Sequence, residues 1–121
     1  MTTAVLVDRF RNHVTHFSEE LKIRSKIKDD VVVGGRVIEV ASLGPIHFGE
    51  SYYKLVLMDP IGTVNVLISD CLWGNVKDWI FTQENPYVLV KGIVNVVSRK
   101  LHDKMESQYT IIGYEILPMP E

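Results

Sequence analysis

The sequence predicts a small, mostly β domain: a five-stranded Greek-key barrel with one helix between the third and fourth strands and an amphipathic helix before the first strand. Three observations lead to this prediction. The chain has 121 residues, which suits a single domain. Its apolar residues recur every three or four positions up to about residue 27, and at every second position after Asp30. Glycine, proline and polar clusters divide this second zone into five strand-like runs.

The N-terminal segment has the spacing of an amphipathic helix from Ala4 to about Ile27. Two interpretations of its apolar stripe are open. The stripe docks on the barrel, or it forms a surface for a protein partner or a second copy; two heptads are short for a coiled coil. The stripe residues in question are Val7, Phe10, Val14, Phe17 and Leu21. We expect residues 1–28 to form this helix and a charged connector, and residues 29–121 to form the barrel.

Five runs of alternating or β-branched residues follow the connector. The predicted strands are Val31–Leu43, Tyr52–Met58, Thr63–Ile68, Tyr87–Val97 and Gln108–Leu117, and the predicted helix is Cys71–Phe81, capped by Ser69 or Asp70. Glycines inside two strands (Gly34, Gly35 and Gly92) indicate bends or close backbone contacts. We expect residues 44–49 and 98–106 to form loops at one rim of the barrel, and Leu72 and Trp79 to plug its open end.

Composition limits the classes of function. The net charge is −2, so any nucleic-acid site must be a local basic patch, since each phosphate contact needs a Lys or Arg. Cys71 is the single cysteine, which excludes an intrachain disulfide and fits a reducing compartment. No apolar run approaches the roughly 20 residues of a membrane span. We therefore expect a cytoplasmic protein, or a nuclear one in a eukaryote, without membrane contact.

No group of residues forms a recognisable catalytic centre. His13 and His16 are three positions apart but lack further metal ligands at a recognisable spacing. Cys71 has no histidine near it in the sequence, and Gly34-Gly35 lacks the remainder of a phosphate-binding loop. The aspartates are explained as turn and helix-cap residues. The sequence favours a binding protein over an enzyme, with no cofactor and no metal.

Alternation also assigns the faces of the second and third strands. Tyr53, Leu55 and Leu57 face inward with Val64, Val66 and Ile68, so the outer face holds Tyr52, Lys54, Val56, Met58, Thr63, Asn65 and Leu67. Single-stranded nucleic acid needs cations along its backbone and rings on which bases stack. The candidate residues are Arg36, Lys54, Asn65, Lys91, Arg99, Lys100 and Lys104, and the rings of His47, Phe48, Tyr52 and Tyr109. The outward apolar residues Val56, Met58 and Leu67 favour a protein partner instead.

Three segments carry a resemblance to a known family: VGGRV at 33–37, LMDPIGTV at 57–64 and VKGIV at 90–94. They are similar to the pattern GxV, DxxG and vxGxv of the anticodon-like OB (oligonucleotide/oligosaccharide-binding) domains. These domains occur in bacterial replicative polymerase α subunits, class II aminoacyl-tRNA synthetases and replication protein A. The resemblance covers about Val31 to Leu117 and implies an OB barrel that lays nucleic acid across its second and third strands. In that family the motif residues are mostly structural.

The resulting expectation is a protein that binds single-stranded DNA or RNA with little sequence specificity, as an accessory factor in DNA replication, repair or recombination. The strand two–three face and the loops 1–2 and 4–5 would form the interface. The alternative is an adaptor OB subunit that binds a protein partner in a replication-type complex without contacting nucleic acid.

Overall fold

A computed structural model describes residues 11–47, 50–82 and 86–119, with backbone alone at 44–47, 50, 97–101 and 105–107. The elements are helix α1 (Glu20–Arg24), strands β1 (Asp30–His47), β2 (Glu50–Asp59) and β3 (Gly62–Ser69), helix α2 (Asp70–Thr82), and strands β4 (Tyr87–Leu101) and β5 (Lys104–Pro118). The strands close into a barrel in the order β1-β2-β3-β5-β4. This is an OB-type barrel, and the predicted helix between the third and fourth strands is confirmed.

Alternation along the strands fills the barrel with apolar side chains. Leu55 and Leu57 on β2 and Val66 and Ile68 on β3 are fully buried, as predicted. They form one cluster with side chains from the remaining strands, among them Val33, Val88, Val90, Val94 and Ile111. Burying each such side chain is worth about 1.5–3 kcal/mol, so this cluster is the main source of stability.

Helix α2 closes one end of the barrel. It begins after Ser69, whose hydroxyl accepts a hydrogen bond from the backbone N–H of Leu72 at 3.2 Å, in the manner of an N-cap. The buried side chains are Trp73, Val76 and Ile80. The Trp73 ring stacks on Tyr53, with ring centroids 5.1 Å apart, and this contact sets which side of the helix faces the core. The prediction that Leu72 and Trp79 form the plug is confirmed in part: both pack against the core but are only partly buried, whereas Trp73 is the buried ring.

Strand β1 changes partner along its length. Its first part pairs with β4 from Asp30 to Arg36, and its second part pairs with β2 from Arg36 to His47. At the crossover a Cβ on Gly35 would lie 2.7 Å from the backbone oxygen of Met58, closer than real Cβ atoms come. The predicted close approach at Gly35 is therefore confirmed. Because β2 pairs only from Arg36 onward, one edge of the first part of β1 lacks a β2 partner.

The segment before α1 covers that edge. Thr15 donates its backbone N–H to the Val32 carbonyl, and its hydroxyl accepts from the Val32 N–H, both at 2.9 Å. Ser18 donates its backbone N–H (2.6 Å) and its hydroxyl (3.0 Å) to the two carboxylate oxygens of Asp59. The same carboxylate accepts the backbone N–H groups of residues 61 and 62 at 2.9 Å, which closes the β2–β3 turn. We call residues 14–18 the strap.

These tertiary hydrogen bonds replace the helical ones that the apolar spacing predicts. Residues 12–19 are turns and extended chain, so the predicted continuous helix from Ala4 to Ile27 was wrong there, and α1 is its only helical part between residues 12 and 27. Ser and Thr side chains that bond to nearby or distant backbone compete with helix formation, which explains the difference. Val7 and Phe10 of the predicted stripe lie outside the described residues.

Glu20 holds the strap to α1. Its carboxylate accepts the backbone N–H of Phe17 at 2.9 Å, and guanidinium groups of Arg11 and Arg24 each donate to it at 2.7 Å. These bonds, led by the one from Phe17, lower the pKa of Glu20 to about 2 from the usual 4.5. The Arg11 guanidinium also lies over the Phe17 ring, 4.1 Å from its centroid.

Both segments predicted as loops are paired strands instead. Strands β4 and β5 pair as far as Leu101 and Lys104, around a turn in which His102 (φ 51°) and Asp103 (φ 63°) are both left-handed, as a type I′ hairpin requires. Strands β1 and β2 pair as far as His47 and Glu50.

The register separates the two hairpins. Asn65 on β3 pairs with Thr110 on β5, so the preceding residues of β5 extend beyond the Gly62 end of β3. Tyr52 pairs with Ser69, so the tip of the β1–β2 hairpin extends beyond the opposite end of β3. The two hairpins therefore leave β3 at opposite ends, whereas the sequence predicted that both lie at one rim.

Candidate nucleic-acid interface

The outer surface of the barrel has two unlike faces. One lies over β1 and β4, where the strap and the segment after β5 pack on it. Val14, Phe17, Leu89 and Met119 form a small outer cluster there, with Val32 and Tyr87 packed against it. A Cβ on Gly34 would lie 3.0 Å from both Leu89 Cδ2 and Met119 Cε, so little spare volume is left. We call this the covered face.

The second face is formed by β2 and β3 with the second part of β1, and we call it the β2–β3 face. The register pairs Lys54 with Leu67, Val56 with Asn65, and Met58 with Thr63. Lys54 and Asn65 are half-buried and Thr63 is exposed. None of the residues of the outer cluster belongs to β2 or β3. This face is therefore mixed, with the polar residues Lys54, Asn65 and Thr63 beside apolar partners and with a cation near its centre.

Arg36 joins this face from β1. It pairs with Met58 of β2 and Tyr87 of β4, at the point where β1 changes partner, and its side chain is half-buried. Three of the predicted residues, Arg36, Lys54 and Asn65, thus lie on the outer side of adjacent strands, with Arg36 at the register position of Met58, four residues along β2 from Lys54. Arg36 makes contacts within the chain, so its guanidinium is part of a local network.

The sequence interpretation missed an acidic residue on the same face. Glu39 is exposed and pairs with Val56, between the positions of Arg36 and Lys54 along β1. A β-bulge between Val37 and Glu39 shifts the alternation of β1 by one residue, which leaves Ile38 as the additional, exposed residue. Simple alternation does not show this shift, because the bulge becomes visible only when β1 is placed against β2. Glu39 lowers the net positive charge of the face.

Val56, Met58 and Leu67 are less uniformly exposed than the sequence predicted. Met58 is 39% exposed, Leu67 is intermediate, and Val56 is 8% exposed. Val56 lies on a central strand, with Glu39 and Asn65 directly beside it on the two neighbouring strands. Side chains on both neighbours shield such a position. The prediction of a continuous exposed apolar set was therefore wrong at Val56.

The structure does not bring Lys91 to the β2–β3 face. Lys91 lies on β4, whose neighbours in the barrel are β1 and β5. Its ammonium lies 3.7 Å from a carboxylate oxygen of Glu115, and the two residues are paired across β4 and β5. An exposed ion pair of this kind contributes little stability. Lys91 is therefore a cation of the opposite side of the barrel, with its charge already balanced.

Tyr109 also differs from its predicted role as a stacking ring. It is two residues before the fully buried Ile111 on β5, so it shares the inward side of the strand. The ring is partly buried and packs against the main core. The packing of this ring against the core indicates that Tyr109 contributes to stability, and it does not support a role in base stacking.

The remaining predicted residues belong to the two hairpins. Tyr52 is half-buried, pairs with Gly44 and Ser69, and contacts other parts of the chain. Lys104 is exposed at the start of β5. His47 ends β1, and Arg99 and Lys100 lie on β4 opposite Glu106 and Met105; the side chains of His47, Arg99 and Lys100 are outside the description, as is Phe48 entirely.

Two further findings bear on the class of protein. Over the described ranges, no cluster of three or more His, Cys, Asp or Glu side chains has the geometry to hold a metal ion. No helix in these same ranges is long and apolar enough to cross a membrane.

Comparison with known proteins connects the barrel to solved structures. No model of a protein family matches the sequence, and no curated protein matches it. OBody AM2EP06, solved bound to hen egg-white lysozyme, superposes with a TM-score of 0.58 at 18% identity, over 88% of this chain and 93% of that chain.

Two natural proteins show a similar likeness. The asparaginyl-tRNA synthetase from Pyrococcus horikoshii, complexed with asparaginyl-adenylate, has a TM-score of 0.55 at 15% identity, over 77% of this chain and 19% of that chain. The small single-stranded DNA-binding protein from Streptomyces coelicolor has a TM-score of 0.54 at 13% identity, over 77% of this chain and 95% of that chain. At these identities the likeness shows the OB fold alone.

Proposed function

We propose that this protein binds single-stranded nucleic acid across its β2–β3 face, weakly and with little sequence preference, as an accessory factor in DNA replication, repair or recombination. The observation that carries the proposal is that the chain packs against one outer face of the barrel and not against the other. The chain packs its own strap and C-terminal segment over β1 and β4, while the cations Arg36 and Lys54 and the amide of Asn65 lie on the other face. The fold is shared with a single-stranded DNA-binding protein, which supports the proposal.

The chemistry of the β2–β3 face suits backbone recognition. Arg36 and Lys54 would contact phosphates, and the Asn65 amide can donate to phosphate or base oxygens. The Tyr52 ring at the start of β2 would provide a stacking surface, and Lys104 at the β4–β5 hairpin would extend the path of cations. Because stacking and phosphate contacts tolerate any base, low sequence preference follows. The protein acts in this proposal by binding and not by catalysis.

The decisive test compares two lysines. Fluorescently labelled oligo(dT) is titrated with the wild-type protein, Lys54→Ala and Lys91→Ala at several salt concentrations. With two or three phosphate contacts, the slope of log K against log salt for the wild type is expected to be about −1.4 to −2.1. Lys54→Ala should make the slope shallower by about 0.7, whereas Lys91→Ala, on the opposite side of the barrel and paired with Glu115, should leave it unchanged.

Thermal unfolding of both variants controls for a loss of structure. Equal effects of the two substitutions would show that binding follows net charge and does not use the β2–β3 face. Absence of oligonucleotide binding at low salt by the folded wild-type protein would remove the nucleic-acid proposal.

Glu39 allows a test in the opposite direction. Glu39→Gln removes the acidic charge that lies between Arg36 and Lys54 along the face, and the residue is exposed, so the barrel should tolerate the change. Oligo(dT) affinity at low salt should rise a few-fold, because the phosphates no longer meet a like charge. General destabilisation weakens binding and cannot produce a gain. Unchanged affinity would place the nucleic acid away from Glu39.

A second candidate is an adaptor that binds a protein and not nucleic acid. A shallow cleft of about 390 Å³ favours it, lined by β1 residues 37–40, by Ile80 and Phe81 of α2, and by Pro86. Ile38 and Phe81 are both exposed there. An OB barrel of similar structure is bound to lysozyme, which supports a protein-binding use of the fold. This candidate takes precedence if the oligonucleotide titration is negative.

A further inference from the structure

The connector between α1 and β1 exposes apolar side chains where the fold does not require them. Ile23 is 82% exposed and Ile27 is 57% exposed. Leu21, two residues before Ile23, is buried in the main core, so α1 directs one side into the barrel and Ile23 away from it. Two exposed isoleucines so close together are unfavourable in water unless something covers them.

The same segment carries an excess of positive charge, with four cations in residues 22–30 against the two carboxylates of Asp29 and Asp30. Lys22, Lys26 and Lys28 are exposed, and within the described residues none of them forms an ion pair. Arg24, by contrast, is bound to Glu20 at 2.7 Å. We call Lys22, Ile23, Lys26, Ile27 and Lys28 the connector surface. It is a concentration of cations in a protein whose net charge is −2.

Most of the acidic groups nearby accept hydrogen bonds within the chain. The Asp29 carboxylate accepts the backbone N–H of Lys26 at 2.8 Å, and Asp30 accepts the Tyr114 hydroxyl at 3.3 Å. Glu20 is bound by Arg11 and Arg24, and Glu19 and Asp30 are exposed at the two edges of this segment. Because the donors to Asp29 and Asp30 are neutral groups, these two carboxylates still offset part of the lysine charge, and the three lysines outnumber them by one positive charge.

The connector is also held in one conformation. The backbone N–H of Asp29 donates to the Lys26 carbonyl at 3.0 Å, that of Lys28 donates to the Val94 carbonyl at 2.8 Å, and Val94 returns a bond to Asp29 at 2.9 Å. Lys28 has a φ of 75°, in the left-handed region that favours glycine. A lysine is thus kept at a position where its backbone conformation is unfavourable. An ordered surface loses little conformational entropy when it binds.

From this combination we propose that the connector surface is a docking site for an acidic polypeptide segment with apolar side chains. Carboxylates of the partner would pair with Lys22, Lys26 and Lys28, and its apolar side chains would cover Ile23 and Ile27. Nucleic acid fits less well, because residues 22–28 hold no aromatic ring on which a base could stack. An anionic membrane fits less well too, since two isoleucines give only a small buried apolar area.

The test uses the full chain and two synthetic, fluorescently labelled peptides of equal negative charge. One alternates Asp and Glu with Leu and Phe, and in the other Ser replaces every Leu and Phe. The first should bind, and the second should bind about tenfold or more weakly, since covering one isoleucine exceeds the 1.4 kcal/mol that corresponds to tenfold. The variants Ile23→Ser/Ile27→Ser and Lys22→Gln/Lys26→Gln/Lys28→Asn should each lose about tenfold or more of the affinity for the first peptide.

Matched controls are available elsewhere on the barrel. Ile61→Ser changes an isoleucine that is 45% exposed at the β2–β3 turn, and Lys77→Gln changes an exposed lysine of α2. Neither should alter peptide binding. The variant Lys54→Ala should also leave it unchanged, so that this proposal and the nucleic-acid proposal can fail separately.

Each other outcome would overturn the docking proposal. Equal binding of both peptides would show attraction by charge alone, and binding of neither would show that the surface has no such partner. Binding to phosphatidylserine vesicles that depends on Ile23 and Ile27 would assign the surface to a membrane. Loss of oligo(dT) binding in the triple lysine variant, with the isoleucine variant unaffected, would make the connector part of a nucleic-acid path.

Discussion

The covered face and the β2–β3 face are built on strands of the same barrel, yet the sequence treats them in opposite ways. On the covered face the outward positions Val32, Gly34 and Leu89 are apolar or glycine, and the strap and Met119 pack against them. On the β2–β3 face the outward positions include Lys54, Asn65 and Thr63. The difference shows that the outward residues of this barrel divide into those that pack against other parts of the chain and those that stay polar and partly exposed.

The contacts at Asp59 show how the two regions meet. Its carboxylate closes the β2–β3 turn and at the same time binds Ser18 of the strap. A Cβ on Gly62 would lie 2.8 Å from the Ser18 hydroxyl, so the glycine of the DxxG segment leaves room for the strap. In this chain both ends of that motif are structural, as the family resemblance implies.

The largest expected effect is a difference between the two faces in how much one substitution lowers the free energy of unfolding. Phe17 is 2% exposed in the outer cluster, so Phe17→Ala should lower the free energy of unfolding by about 3–5 kcal/mol through a cavity on the covered face. Met58→Ala, on the β2–β3 face, should cost about 1 kcal/mol or less, because Met58 is already 39% exposed. Urea unfolding of the two variants measures both values. Similar losses would mean that the two faces do not differ in their contribution to folding.

A smaller effect is expected where the strap meets the turn. Ser18→Ala removes the hydroxyl donor to Asp59 and leaves the backbone donor in place, so the loss should be about 1.5–3 kcal/mol, typical for one hydrogen bond to a charged group. Oligo(dT) affinity at a temperature where the variant is folded should be unchanged. Weaker binding by the folded variant would show that the strap and the β2–β3 face are energetically coupled, contrary to the division described above.

A pH-dependent effect is expected at Glu20. Glu20 has a pKa of about 2 in the folded protein against 4.5 for a free side chain, so its ionised form stabilises the fold. That stabilisation is complete above about pH 5 and is lost as the pH falls from 4.5 to 2. The difference in Tm between the wild type and Glu20→Gln should therefore be greatest near neutral pH and should narrow towards pH 2. A difference that does not change with pH would show that the charge of Glu20 is not what holds the strap.

Sequence periodicity predicted the features that depend on the alternation of inward and outward side chains along one strand. The inward positions of β2 and β3 were correct, because a period of two fixes which side chains share a face. It could not predict the strap, since Ser18 and Asp59 are 41 residues apart and a Ser and an Asp carry no signal of mutual contact. Turn-forming residues at 98–106 suggested a loop, although a two-residue turn at His102 and Asp103 lets the flanking residues pair.

The candidate site shows the same division. The outward positions of Arg36, Lys54 and Asn65 were predicted from alternation alone. The position of Lys91 on another side of the barrel required knowledge of strand order, because alternation separates inside from outside and does not identify the neighbouring strand. Glu39 required the bulge at Ile38. The sequence could not identify Trp73, and not Trp79, as the buried ring, because the ring of Tyr53 on β2 stacks on Trp73 and this contact between elements leaves no mark in the sequence.

The barrel is closed along β3 and β5 by a parallel pairing of three registered positions, from Asn65 with Thr110 to Leu67 with Ile112. The pairing of β4 with β5, by comparison, runs from Pro118 to Lys104. The short β3–β5 pairing thus joins the β2–β3 hairpin to the β4–β5 hairpin. Opening it breaks fewer hydrogen bonds than separating the strands of either hairpin. A strand of nucleic acid that contacts Asn65 would lie beside this pairing. A bound ligand that also contacts β5 would then stabilise the closed barrel at the pairing of strands that opens most easily.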